Sequence, residues 1–176
     1  MKLVAGGDSF VWGSELLDHM HGGPNGYSKS TFAALLSSGK YVCAAYPGIG
    51  NIEISKRIKQ AIDTPCKVLV CWTWPSRDAM LDSDDIITDL EDHLQTNKIK
   101  YMFTCTDNCI ITKKINYSNW FLFPSGLQEY HTTTPRGFYQ WAVEEDFKCG
   151  FEHHPLEEAH RVAANLMQHK FLQLTA

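Results

Sequence analysis

No apolar run in the sequence approaches the roughly 18 residues that a bilayer-crossing helix needs, and no charged leader precedes an apolar stretch of the kind that marks secretion. A soluble, cytoplasmic protein is the expectation. Like charges nowhere gather into a block of about five or six. Acidic residues (20) outnumber basic ones (16), so the electrostatic footprint of a nucleic-acid-binding surface is missing and a phosphate-backbone partner is disfavoured. Internal repeats, linkers and low-complexity segments are also absent, and residues 1–176 are read as one domain, long enough to bury a sizeable core. The histidines His153, His154 and His160 do not fall into a His-Glu-x-x-His pattern, and the close pair Cys105 and Cys109 has no second pair to complete a zinc site. Gly48-Ile49-Gly50-Asn51 lacks the third glycine, or the Lys-Ser/Thr ending, of a phosphate-cradling loop. No metal and no cofactor are expected. Of the six cysteines, Cys43, Cys66 and Cys71 lie in or beside apolar runs, where a thiol packs as a small hydrophobe, and all are read as reduced.

What the chain does have is a regular alternation of strand-like and helix-like stretches, the pattern of a parallel sheet covered by helices. "KLVAG", "YVCAAY", "KVLVCWTW" and "KYMFTCT" read as four strands, with "NWFLF" as a short fifth. The third, taken as apolar throughout, is expected near the middle of the sheet. Between them a helix is predicted near Thr31 to Ser37 with Gly39 as its C-cap. A second has Ile54, Ile58 and Ile62 on one face, and a third is capped at Ser83 and lined by Ile86, Ile87, Leu90 and Leu94. A last helix is predicted from Pro155, with Leu156, Ala159, Val162, Ala163, Leu166 and Met167 inward. The fold class is therefore α/β, a three-layer α/β/α sandwich of flavodoxin-like type with a mainly parallel sheet.

Sites in such folds form at the carboxyl ends of the strands. That rule selects Gly7-Asp8-Ser9, Gly48 to Asn51, and Trp72 to Arg77, while "EHHPLEEAH" adds a polar cluster before the last helix. A serine early in the chain and a histidine late in it can meet only through the fold. Their joint chemistry is that of a serine nucleophile whose proton is taken by imidazole, the ring being oriented by a carboxylate. Trp72, Trp74 and Arg77 have two readings, as pocket wall or as core packing, and the guanidinium has a third, as holder of a substrate anion. Glu157 and Glu158 are read as first-turn carboxylates that favour the helix dipole.

"GGDSFVWG" resembles the first block of the SGNH (GDSL-type) hydrolases, "AAYPGIGNIEISKRI" their second, and "HHPLEEAHRVAANL" their last, so the likeness spans Gly6 to Leu166. The resemblance implies a serine esterase that needs no cofactor. Ser9 would be its nucleophile, His154 its base, and Gly48 a backbone donor to the oxyanion. The substrate would be an ester of a small molecule or glycan, carrying an acyl or acetyl group. Two departures follow. "WTWPSRD" stands where the family has Gly-x-Asn-Asp, so the side-chain oxyanion donor is missing; Asn51 either replaces it or caps the helix beginning at Ile52. The family's Asp three residues before the histidine is here Phe151, and Glu152 is the nearest substitute, with a backbone carbonyl as the alternative. Ser9 and His154 are expected within hydrogen-bond reach, and the amides of Ser9 and Gly48 with the Asn51 side chain are expected to share one cavity. The rival reading is a non-catalytic or repurposed SGNH-like binding domain. "GDSFVWGSEL" and "WTWPSR" also resemble GDSL-like proteins carried by tailed phages, which would make the host cytoplasm the location.

Overall fold

In a computed structural model of the chain, residues 1–20, 26–63, 65–78, 82–124 and 135–174 are described. Four apolar runs become the strands β1 (Lys2–Gly6), β2 (Tyr41–Cys43), β3 (Cys66–Trp72) and β4 (Lys100–Cys105). They form a parallel sheet in the order β2-β1-β3-β4, with Leu3 beside Tyr41, Ala5 beside Leu69 and Leu69 beside Met102. The helices among the described residues are α1 (Ser9–Trp12), α2 (Leu17–Met20), α3 (Phe32–Leu35), α4 (Asn51–Ala61), α5 (Ser83–Thr96), α6 (Phe138–Glu144) and α7 (Glu157–Gln173). None is long and apolar enough to cross a membrane.

Parallel strands must return over the sheet, so both faces are covered and the strand interior is apolar on both sides. All of β3 is buried accordingly. Alternate side chains feed two cores. Leu69 and Cys71, with Leu3, Ala5 and Met102, pack under Phe32, Phe138, Trp141, Ala163 and Met167 of α3, α6 and α7. Val68, Val70 and Trp72, with Val4 and Phe103, pack under Ile54 and Ile58 of α4 and Ile87, Leu90 and Leu94 of α5. The expected three-layer sandwich is the one observed, with β3 in its interior.

Several boundaries differ from those predicted. Thr31 caps α3, its Oγ1 accepting from the Ala34 N–H at 3.2 Å, but the helix ends with Leu36 as its C-cap. Gly39 lies beyond that end, against the backbone of Met1, where a Cβ would stand 3.0 Å from the Met1 carbonyl. The last helix begins at Glu157, because Pro155 is paired with Cys149 in an isolated antiparallel bridge. The segment read as a fifth strand pairs with β4 around one residue: the Phe103 N–H donates to Asn119 at 2.9 Å and Phe121 donates to the Phe103 carbonyl at 2.7 Å.

The strand order locates the site. From β1 the chain moves to the edge strand β2, whereas from β3 it moves the other way to β4. The loops leaving neighbouring strands β1 and β3 thus diverge, and a crevice opens between their carboxyl ends.

Candidate active site

The turn after β1 is built on close packing. A Cβ on Gly6 would stand 2.6 Å from Ile58 Cγ1, and one on Gly7 would stand 2.5 Å from Val11 Cγ2, so the bare backbone lets α4 and α1 close on the end of the strand. Asp8 then caps α1, accepting the Phe10 N–H at 3.1 Å, and Ser9 becomes the first residue of the helix. The Asp8 carboxylate is fully buried and also accepts from the Thr73 hydroxyl at 2.7 Å and from Arg77 Nη1 at 3.1 Å. Burial pushes its pKa above the ordinary carboxylate value, against the pull of Thr73, the Phe10 amide and the Arg77 charge. Arg77 Nη1 donates as well to the Ile49 carbonyl at 3.2 Å, and its guanidinium lies 5.1 Å from the centre of the Trp74 ring. Arg77 therefore ties the loops after β1, β2 and β3 together.

Gly48 and Asn51 part company. Gly48 is exposed at the tip of the loop after β2, with the left-handed φ of 77° that favours glycine. Asn51 is completely buried in the first turn of α4. Its amide nitrogen donates to the Thr73 carbonyl at 3.1 Å and the Ser83 hydroxyl at 3.3 Å, and its oxygen accepts from the Thr73 N–H at 2.9 Å. Neither reading made for Asn51 from the sequence describes this: it braces the loop after β3, and the helix cap comes from elsewhere. Asp78 accepts the Asn51 N–H at 2.6 Å and the Ile52 N–H at 3.3 Å.

His154 sits in a narrow turn closed by the Cys149 and Pro155 pairing and by the Gly150 N–H donating to the His154 carbonyl at 2.8 Å. The partner of its ring is Glu15, with Oε2 2.9 Å from Nδ1. The same carboxylate accepts the backbone N–H groups of Glu152 at 2.9 Å and His154 at 3.2 Å. Gly150 makes room for it, since a Cβ there would stand 2.5 Å from the Glu15 carboxyl carbon. Glu157 answers from the other side, accepting the Leu17 N–H at 2.7 Å. Burial works to raise the Glu15 pKa, yet the bonds from Glu152 and His154 hold it below the usual value. Because a carboxylate only accepts, Nδ1 carries the proton at this contact, and in the neutral ring the lone pair is then on Nε2.

Ser9, Gly48, Arg77, Glu152 and His154 line one cavity of about 410 Å³, whose walls include Phe10, Ser14, Pro47, Trp74, Tyr139 and His153. Five of the six residues singled out from sequence thus converge, and Asn51 does not. Glu152 belongs to the turn and to the cavity wall, but among the described residues its side chain makes no hydrogen bond to the His154 ring, and its amide donates to Glu15. Among the described residues the Ser9 hydroxyl has no protein hydrogen bond, and neither the Ser9 nor the Gly48 amide donates to a protein acceptor. The residue that sequence reasoning missed is Glu15. No sequence signal points to it: Glu15 stands in no motif with His154, and only the fold sets it, at a left-handed φ of 67°, against the turn that Gly150 leaves open. Chemically the arrangement offers a hydroxyl, an imidazole fixed in one tautomer, and two unpaired amides at one cavity.

No family model matches the chain, and no curated protein matches it by sequence. Solved structures do match. The psychrotrophic esterase EstA of a Pseudoalteromonas species, in a structure inhibited by monoethylphosphonate, superposes with a TM-score of 0.64 at 13% identity, over 99% of this chain and 98% of that one. A G-D-S-L-family protein assigned as lipolytic, from Desulfitobacterium hafniense DCB-2, does so with a TM-score of 0.55 at 13% identity, over 96% and 98%. Superposing over nearly the whole of both chains in each case, the chain has the fold of the SGNH (GDSL-type) hydrolases.

Proposed function

We propose that the protein is a serine esterase that cleaves its substrate through an acyl-enzyme on Ser9. The observation that carries this reading is the 2.9 Å contact of His154 Nδ1 with Glu15, which leaves Nε2 as a base in the cavity that Ser9 shares. The Ser9 oxygen attacks the ester carbonyl while His154 Nε2 takes its proton, and Glu15 stabilises the imidazolium that results. Negative charge on the former carbonyl oxygen is met by the amides of Ser9 and Gly48. His154 returns the proton to the departing alcohol, and a water, deprotonated by the same nitrogen, then releases the acid. The direct Ser9 to His154 hydrogen bond is made when the cavity is filled, as catalytic contacts commonly tighten with ligand present. Glu152 and Arg77 belong to the cavity wall in this scheme, Arg77 chiefly as the partner of Asp8.

A cavity of about 410 Å³ walled by Trp74 and Tyr139 suits the ester of a small molecule or glycan with a short acyl group. Six unpaired thiols suit a reducing compartment, and the cytoplasm is the location proposed. Asn51, locked between Thr73 and Ser83, favours a second reading, a binding domain on the same fold, because one missing oxyanion donor costs about 2.7–4 kcal/mol of barrier. A fluorophosphonate probe and a short-chain aryl ester decide between the two. Wild type should be labelled at Ser9 and turn over the ester, and Ser9→Ala and His154→Ala should abolish turnover with their melting temperatures retained. A wild-type protein that neither labels nor hydrolyses any short-chain ester would leave the binding domain.

A further inference from the structure

Lys67 has no place in this chemistry. It is the second residue of β3, on the face where Leu69 and Cys71 enter the core beneath α3 and α7, and it is only 9% exposed. Among the described residues no carboxylate or carbonyl accepts from its ammonium, which stands 4.9 Å from the centre of the Phe171 ring. A ring face replaces only part of the hydration that a buried cation gives up. Burial, together with the charge of Lys100 beside it in the sheet register, pulls the Lys67 pKa below the usual amine value. The side chain borders a cavity of about 390 Å³ at the amino-terminal edge of the sheet, the edge opposite Ser9. Arg161, Asn165 and Gln168 offer polar groups there, Leu36 and Phe171 an apolar floor, and no acidic residue is among its described lining. Among the described residues the only partner of the Arg161 guanidinium is Glu158, in an exposed contact of 3.7 Å.

A cavity whose described lining holds two cations, no carboxylate and an apolar floor is complementary to a molecule that is itself part anion and part hydrocarbon. We propose that it binds an aliphatic carboxylate, the head on Lys67 and Arg161 and the chain along Leu36 and Phe171. The site is independent of the esterase reading. Hexanoate titrated into the full chain, followed by calorimetry and by the thermal shift it produces, provides the test. Wild type and Ser9→Ala should bind it alike, whereas Lys67→Met, which keeps the apolar stem, should weaken binding at least about tenfold while leaving ester turnover unchanged. Hexanol and inorganic phosphate, each carrying half of the recognised chemistry, should bind at least about tenfold more weakly than hexanoate. Equal hexanoate affinity in Lys67→Met, no saturable binding to wild type, or phosphate binding as tightly as hexanoate would each overturn the assignment.

Discussion

Glu15 does two jobs with one carboxylate: it fixes the tautomer of His154 and it clasps the turn that carries the ring. Replacing it separates them. Glu15→Gln keeps an acceptor for the backbone amides but loses the charge that stabilises the imidazolium, so kcat/KM should fall by about 100-fold or more with little change in melting temperature. Glu152→Ala, which removes no contact of the ring, should leave most activity, and an aryl-ester assay of the two variants side by side tests the assignment. Gly150→Ala should act like Glu15→Gln without touching a functional group, because its methyl would occupy the carboxylate's place 2.5 Å from the Glu15 carboxyl carbon. Activity restored in Gly150→Ala by shortening Glu15 to Asp would confirm the steric origin. Of the candidate site, Ser9 and His154 were legible in the sequence, since each stands in a short block next to a strand end or a helix start. Glu15 was not, because it lies 139 residues from His154 and only the folded turn brings it there.

At the scale of elements, α4 is capped from a distance. Its N-cap, Gly50, has no side chain to offer, and a Cβ at that position would stand 2.3 Å from the Asp78 carboxylate that takes over the task. Asp78→Ala should therefore lower unfolding free energy by about 1 kcal/mol, the usual worth of a helix cap, as measured by urea denaturation. Because the same helix turn presents Asn51 to Thr73, the variant should also loosen the loop after β3 and reduce ester turnover several-fold. Strands were the easiest elements to read, since burial on both faces makes parallel strands continuous apolar runs. That same expectation hid Lys67, which stands inside a run taken as wholly apolar. The four-residue α1 went unread because it is too short for any hydrophobic period, and its start is set by the Asp8 cap rather than by propensity.

The molecule as a whole responds to acid through His160, which is 1% exposed between Phe32 and Phe138 and accepts the Phe32 N–H at 3.1 Å. Burial, with the neighbouring His154, lowers its pKa from 6.5 to about 3. In the unfolded chain the imidazole takes up a proton below pH 6.5, whereas in the folded one it does not until near pH 3, so stability falls as pH drops through that window, by about 1.4 kcal/mol per pH unit. Glu15 adds a loss in the same direction only below the ordinary carboxylate value, and Asp8, shifted upward, works the other way. Between pH 6.5 and 4.5 the unfolding free energy of wild type should decline with falling pH more steeply than that of His160→Gln. The turn clasped by Glu15 has a consequence in time as well. During synthesis the ribosome releases Ser9 well before His154, and the helices α6 and α7 that roof one face of the sheet emerge on either side of His154. If Ser9 is the nucleophile proposed above, a nascent chain holds it unarmed until the core is closed, and on refolding from denaturant the circular dichroism signal should recover before Ser9 accepts a fluorophosphonate, which makes reactivity a clock for the final docking event.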